Sequence, residues 1–337
     1  MLRRSPLRLL TRSAAYLKEE GTGTAPQPFS DWLQSRGFRD VRGYQHFRRR
    51  SAFNAQGRLL PGIAVATVGS LVVWTTCREE IPYTHRKHLI LVSQDQEKRL
   101  GQQVFKQVKE EAVQQRKLLP ASHPYTRLVQ RVGKRISQQA TDGFRGTGVH
   151  SHMQGLEWEF LVVDEDQENA FVVPGGKVVV YSGLLKMLDD EEELATVLSH
   201  EVAHVLARHV AEKVTQSMTW LAFFIILEWT LGLPLPIDII SGLVMSQNSR
   251  KLETEADRIG LTLAAQACYN PSAFVPVMTK LGEAEAKAGF KTPEFLRTHP
   301  VSTTRIRQIK ADLPAAEEKP AHLMPGRPNL PTWARQT

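Results

Sequence analysis

Cysteine is nearly absent: Cys77 and Cys268 are the only two in 337 residues. Two thiols so far apart exclude a disulfide-dense scaffold and lack the short spacing of a thiolate zinc site. Cys268 lies in the apolar stretch LTLAAQACY and reads as a small buried hydrophobe, with a Cys77–Cys268 link as a hypothesis only. Internal repeats are absent too, so a stacked-repeat architecture is excluded. The body of the chain lacks net charge. Residues 1–58 hold twelve Lys or Arg against four Asp or Glu, and the remainder carries 31 of each sign. A nucleic-acid binder would be expected to carry its positive charge on a folded face, so no nucleic-acid partner is expected.

Acids are also missing from the first eighteen residues, MLRRSPLRLLTRSAAYLK, which mix four Arg and one Lys with Leu, Ser and Ala. No continuous apolar run follows, so this is the mitochondrial-targeting composition rather than the secretory one. Residues 59–76, LLPGIAVATVGSLVVWTT, carry no charge over eighteen positions. At 1.5 Å per residue a helix there reaches about 27 Å, near the thickness of a bilayer's hydrocarbon core, and Trp74 sits where an interfacial aromatic belongs. The segment is expected to be a single transmembrane helix in contact with the lipid bilayer. Arg48, Arg49, Arg50 and Arg58 outweigh the basic residues on the other flank. The N-terminal arm is therefore expected in the mitochondrial matrix and the body in the intermembrane space, anchored to the inner membrane.

The body, residues 80–313, reads as α+β and mainly helical. Apolar stripes at helical spacing mark 94–112, where Ser93 can cap, and 124–138. The period then changes. Strands are expected over 158–163, 170–173 and 177–181, with a Pro174-Gly175-Gly176 turn between the last two. A short helix follows from Ser182, then a long one running from Asp190 to about Val214. Residues 218–244 are strongly apolar and interrupted by Gly and Pro. They are compatible with a membrane-apposed hairpin and equally with buried core or a cover over a substrate. Helices are expected again over 249–269, over 272–287 and after Pro300. Residues 314–337 read as a Pro-rich extended tail.

The chemistry concentrates in LSHEVAHVLARH. On a helix His200 and His204 lie one turn apart on one face, where two imidazoles can hold one Zn2+. Glu201 turns toward the same mouth and can act as base on a water activated by the metal. His209, five residues beyond His204, turns to a different side and reads as a solvated or helix-end histidine. Catalytic zinc usually takes three protein ligands. RKLETEADRIG places Glu253 and Asp257 four apart on one face, which lets Glu253 serve as the third ligand while Asp257 accepts a hydrogen bond from a ligand imidazole; the residues alone equally allow Glu253 as a helix-surface acid and Asp257 as a local ion-pair partner. Glu255 points elsewhere and is expected to face solvent. Residues 169–181 form a strand–turn–strand that can floor a cleft and bind a peptide backbone, with Asn169, Gly175 and Gly176 either contacting substrate or only shaping the hairpin.

Four ordered pieces, NAFVVPGGKVVVYSGLL, the HEVAH helix, the RKLETEADRIG helix and THPVSTTRI, make the chain resemble the zinc metallopeptidase family of the CAAX prenyl protease and HtpX. Within that family it is closest to the mitochondrial inner-membrane branch. The resemblance implies a zincin-type (gluzincin) domain with a small β-sheet at the cleft, preceded by the transmembrane helix. It also implies one zinc per chain on His200, His204 and Glu253, with Asp257 behind them. It carries His299 and Arg305 over as catalytic groups near the oxyanion. The residues alone equally allow His299 as a polar turn residue and Arg305 as a structural ion-pair partner. The activity implied is that of a metalloendopeptidase in quality control and stress-responsive processing of inner-membrane or intermembrane-space proteins, cleaved at locally unfolded segments. An aminopeptidase, or a silent chaperone or scaffold, is the alternative. Self-association into a homo-oligomer is left open.

Overall fold

The computed structural model describes residues 55–142, 151–231, 237–288 and 294–323. The chain divides into two units, Met1–Gly69 and Ser70–Thr337. Of the first, only the start of helix α1 (Ala55–Thr76) is described, and the basic arm before it lies outside the described residues. The expected membrane span is corrected here. Residues 59–76 are helical, but among the described residues no helix is long and apolar enough to cross a membrane. Thr67, Gly69, Ser70, Thr75 and Thr76 dilute the apolar residues of the described part of α1. The topology built on that span, with the arm in the matrix and the body in the intermembrane space, falls with it.

The second unit opens with a hairpin that the sequence reading treated only as a flank, β1 (Arg78–Glu80) and β2 (Lys87–Leu89), paired antiparallel. Helix α2 (Gln94–Gln114) follows, and Ser93 closes a capping box with Gln96. Helix α3 (Pro124–Asp142) leads to the main sheet of β3 (Glu159–Val163), β4 (Ala170–Val173) and β5 (Lys177–Tyr181), in the order β3-β5-β4. β3 runs parallel to β5, with Phe160 opposite Val178. β4 runs antiparallel to β5, with Val172 opposite Val178, and forms an edge. The turn joining them places Gly175 at φ 96° and Gly176 at φ 77°, a region in which a Cβ is strained.

These strands are apolar on both faces because both faces are covered. Phe160, Val162, Val178 and Val180 point into the main core, while Leu161, Val163 and Val179 pack with Phe105 and Ala112 of α2. The main core also holds Val132 and Ile136 of α3 and Leu194, Leu198 and Val202 of α5 (Glu191–Leu206). A short helix α4 (Ser182–Met187) connects β5 to α5, which Asp190 caps by accepting from Glu193 N at 2.8 Å. Helix α6 (His209–Leu231) and helix α7 (Ile237–Gln266) follow, α7 packing closely along α5. Gly260 makes that approach feasible: a Cβ there would stand 3.1 Å from the Cα of His200. Helices α8 (Phe274–Ala288), α9 (Glu294–Thr298) and α10 (Thr303–Leu323) close the chain.

Two boundaries depart from the sequence expectation, and one segment that it left open takes a definite form. The helix expected to run to Val214 ends at Leu206, because Arg208 takes φ 54° before α6 begins at His209. The apolar stretch 218–244 is helical where it is described, in α6 and the start of α7. Finally, α10 continues through Pro314 to Leu323, where an extended tail was expected from 314. Burial of Ile309 and Ala316 against the core outweighs the one backbone hydrogen bond that Pro314 removes. Neither cysteine is in a disulfide and both are partly exposed, so Cys268 is not the buried hydrophobe expected of it.

Candidate metal centre

Helix α5 brings His200 and His204 to one face, and α7 lies against that face with Glu253 pointing in. His200 Nε2 and His204 Nε2 stand 3.2 Å apart. Glu253 Oε2 is 3.3 Å from His200 Nε2, and Oε1 is 3.6 Å from His204 Nε2. His299, in the segment before α10, closes the group: its Nδ1 lies 2.8 Å from Glu253 Oε2 and 3.4 Å from His200 Nε2. Donor atoms of these four residues all fall within 4.8 Å of one another. His200, His204 and Glu253 are buried.

The donor set fits a metal ion. Two Nε2 atoms facing each other at this distance cannot both carry protons, and the carboxylate oxygen Glu253 Oε1 is buried with no hydrogen-bond partner. Such orphaned lone pairs are costly unless a cation gathers them. Two imidazoles and a carboxylate, with a further histidine at hand, is a zinc donor set. The charge balance points the same way. Burial alone would make Glu253 a weaker acid, but His204, His200 and His299 around it hold its carboxyl well below the usual range. Burial keeps His204 neutral. His200 is pushed up to about 9, because Asp257 and Glu253 more than offset its burial.

Glu201 sits beside this group. Its Oε1 is buried without a hydrogen-bond partner and lies 3.4 Å from His299 Nε2. Burial raises its pKa, partly countered by His299 and His200 and by a hydrogen bond from the backbone of Val172. The edge of β4 therefore lies next to the carboxylate of Glu201.

Behind the ligands, His200 Nδ1 approaches Asp257 Oδ1 at 2.9 Å, a close contact that lacks the alignment of a good hydrogen bond. Arg305 grips Asp257 with two bonds of 2.7 Å and donates to the carbonyl oxygens of Pro300 and His299 at 2.8 and 3.3 Å. Its guanidinium is buried among these acceptors. Asn169 is buried at the start of β4, where its backbone carbonyl accepts from Tyr181 N at 3.0 Å. Gly175 borders a small cleft beside His204, whereas Gly176 does not line it and packs against Trp158 and Leu156.

Two residues sit where the sequence reading did not put them. His209 is buried rather than solvated, with Nδ1 2.8 Å from His204 Nδ1. The five-residue spacing misled because it assumed one continuous helix, and the break at Arg208 resets the direction. Glu255 is buried as well, 3.2 Å from His209 Nε2. Two positions after Glu253 it is turned by about 200° on the helix, which means solvent only if nothing covers that side. The β1–β2 hairpin covers it, through Thr84 and Arg86.

The sequence profile of Peptidase family M48 matches residues 129–313. The mitochondrial metalloendopeptidase OMA1 of Schizosaccharomyces pombe is 40% identical over 253 residues, spanning 74% of this chain and 71% of that protein. The protein of that name from Arabidopsis thaliana is 30% identical over 333 residues, spanning 79% and 67%. The one from Saccharomyces cerevisiae is 32% identical over 263 residues, spanning 76% and 75%.

Proposed function

The chain belongs to peptidase family M48, and from that premise we propose that it cuts extended protein segments in mitochondria, with Glu201 as the general base and acid. It is a zinc metalloendopeptidase, related to mitochondrial OMA1 proteins and with one cluster for a single Zn2+ among the described residues. His200, His204 and Glu253 would hold the ion, and His299 completes the ring of donors on the side facing Glu201. Zn2+ there supplies Lewis acidity toward water and the scissile carbonyl.

The chain's own groups supply the proton traffic. Glu201, kept poorly solvated, takes a proton from the attacking water and passes it to the leaving amine. A raised pKa suits both halves of that task. His299 places its Nε2 toward Glu201 and can donate to negative charge developing on the substrate oxygen. Arg305 works one step back: fixed on Asp257, it keeps that carboxylate aimed at His200. Substrate backbone would add along the edge strand β4, whose Val172 N–H already reaches Glu201, with Asn169 fixing the start of the strand and the Gly175-Gly176 turn its end. Relatives that carry the name metalloendopeptidase support internal cleavage, in keeping with a quality-control protease acting on locally unfolded segments.

One observation carries this reading: a buried Glu201 next to converging metal donors, among them a Glu253 Oε1 that is buried without a hydrogen-bond partner. The test is Glu201→Gln, assayed on an internally quenched peptide blocked at both ends. Zinc content should stay near one per chain, while kcat falls about 10^2- to 10^4-fold. Wild-type rates in that variant would remove Glu201 from the chemistry. A wild-type enzyme that cleaves only peptides with a free amino terminus would be an aminopeptidase.

A further inference from the structure

The inner side of His204 is the start of a chain of contacts that the chemistry above does not use. Nε2 of His204 faces the other metal donors, so a ring that binds through Nε2 keeps its proton on Nδ1. That proton points at His209 Nδ1, 2.8 Å away, which must then accept. His209 accordingly carries its own proton on Nε2 and donates it to Glu255 Oε2 at 3.2 Å. Glu255 accepts from Thr84 Oγ1 at 2.5 Å and from Arg86 Nε at 2.8 Å, both on the β1–β2 hairpin. Arg86 also makes two bonds to Glu212, at 2.9 and 2.6 Å, and Glu212 holds His88 at 2.7 Å. His209, Glu255 and Glu212 are buried, so each group has its direction imposed by the next.

We propose that His209 is a positioning residue for zinc. It fixes the tautomer and ring angle of His204, and it is itself set by Glu255 of α7, which Thr84 and Arg86 of the β1–β2 hairpin hold in place, so the hairpin becomes part of the metal site. The inference rests on the zinc reading above. A neutral imidazole backed by an acceptor is a better ligand than one free to take the other tautomer. The short Nδ1–Nδ1 distance leaves room for only one proton, so the two rings cannot choose their tautomers independently. A purely structural role would need shape at position 209. The relay needs an acceptor at Nδ1 and a carboxylate behind it.

The experiment measures zinc affinity of the full chain by competition with a chromophoric chelator, for wild type, His209→Ala, His209→Asn and Glu255→Gln. His209→Ala should weaken zinc about 10- to 100-fold. His209→Asn, which restores an acceptor near the Nδ1 position, should recover much of that loss. Glu255→Gln should show a smaller loss in the same direction. Arg86→Gln should cost affinity in the wild-type background and almost none in His209→Ala, since the connection is already cut. Wild type without tight zinc would sink the metal reading itself. With wild type intact, a cooperatively folding His209→Ala within twofold of its affinity overturns the relay, and so does His209→Asn no better than Ala. Should His209→Ala fail to fold, unchanged zinc affinity in Glu255→Gln overturns it instead.

Discussion

His200 and His204 stand one turn apart on one helix and face one point, yet they are backed in different ways. Behind His200 the support is short and deep: Asp257, then Arg305, whose side chain is only 4% exposed. Behind His204 it is long and ends near the surface: His209, Glu255, then Arg86, whose side chain is 37% exposed. Both sequences of contacts end in an arginine on a carboxylate, so the chemistry matches and the burial differs. A buried ion pair is costly to break because the surviving charge cannot reach water. In the second arm the carboxylates are buried too, but the arginine is partly exposed, so water can enter the place it leaves beside Glu212 and Glu255. The first arm should therefore govern whether the domain holds together, and the second should be adjustable without unfolding it.

The sharpest way to break this contrast is a matched pair of substitutions. Arg305→Met should cost about 3–5 kcal/mol, by the rule for a buried pair that loses one partner. Arg86→Met should cost about 1–2 kcal/mol, since water and the remaining donors can serve Glu212 and Glu255. Urea unfolding of the zinc-free proteins measures both, and equal losses would erase the distinction.

Acid gives a second, smaller test. Burial alone would raise the pKa of Glu212 and Glu255. Hydrogen bonds from His88 and Arg86 to Glu212, and from His209, Arg86 and Thr84 to Glu255, outweigh it and bring both from 4.5 to about 2. A depressed carboxyl contributes stability that is complete above its unfolded pKa and lost as pH falls through the folded value. Zinc-free protein should thus lose stability between about pH 4.5 and pH 2. In Arg86→Gln that slope should be shallower, and an unchanged slope would mean that Arg86 does not set these carboxyls. The smallest effect calibrates the others. Ser93→Ala removes the capping box of α2, away from both arms, and should cost about 1 kcal/mol with no change in zinc affinity.

What the sequence made legible follows from how local each signal is. The strands at 170–173 and 177–181 and the cap at Ser93 depend on neighbours in the chain, and they stand where pattern and turn chemistry placed them. The face rule brings His200 and His204 together and pairs Glu253 with Asp257, while the choice of Glu253 as their partner drew on the family resemblance as well. His209 and Glu255 were illegible for the opposite reason. One depends on a helix break at a non-glycine residue, and the other on a hairpin distant in sequence covering the far side of α7. The tail beyond 314 misled because proline content outweighed, in the reading, the packing of Ile309 and Ala316. The apolar stretch 59–76 was judged by its lack of charge, and no span is found among the described residues.

Arg208 holds its φ of 54° with its side chain committed on three sides, to Glu97 at 2.7 Å, Glu79 at 2.6 Å and the carbonyl of Val92 at 3.0 Å. Glycine would relax the backbone and release every one of those anchors. Lysine would keep the charge but lose the planar fork that reaches three acceptors at once. The position is thus hemmed in by two demands that no single exchange meets together. The spacing is hemmed in as well: one residue added or deleted between His204 and His209 would rotate the second ring off the first. This short stretch should tolerate changes of length far less well than any surface loop of the domain.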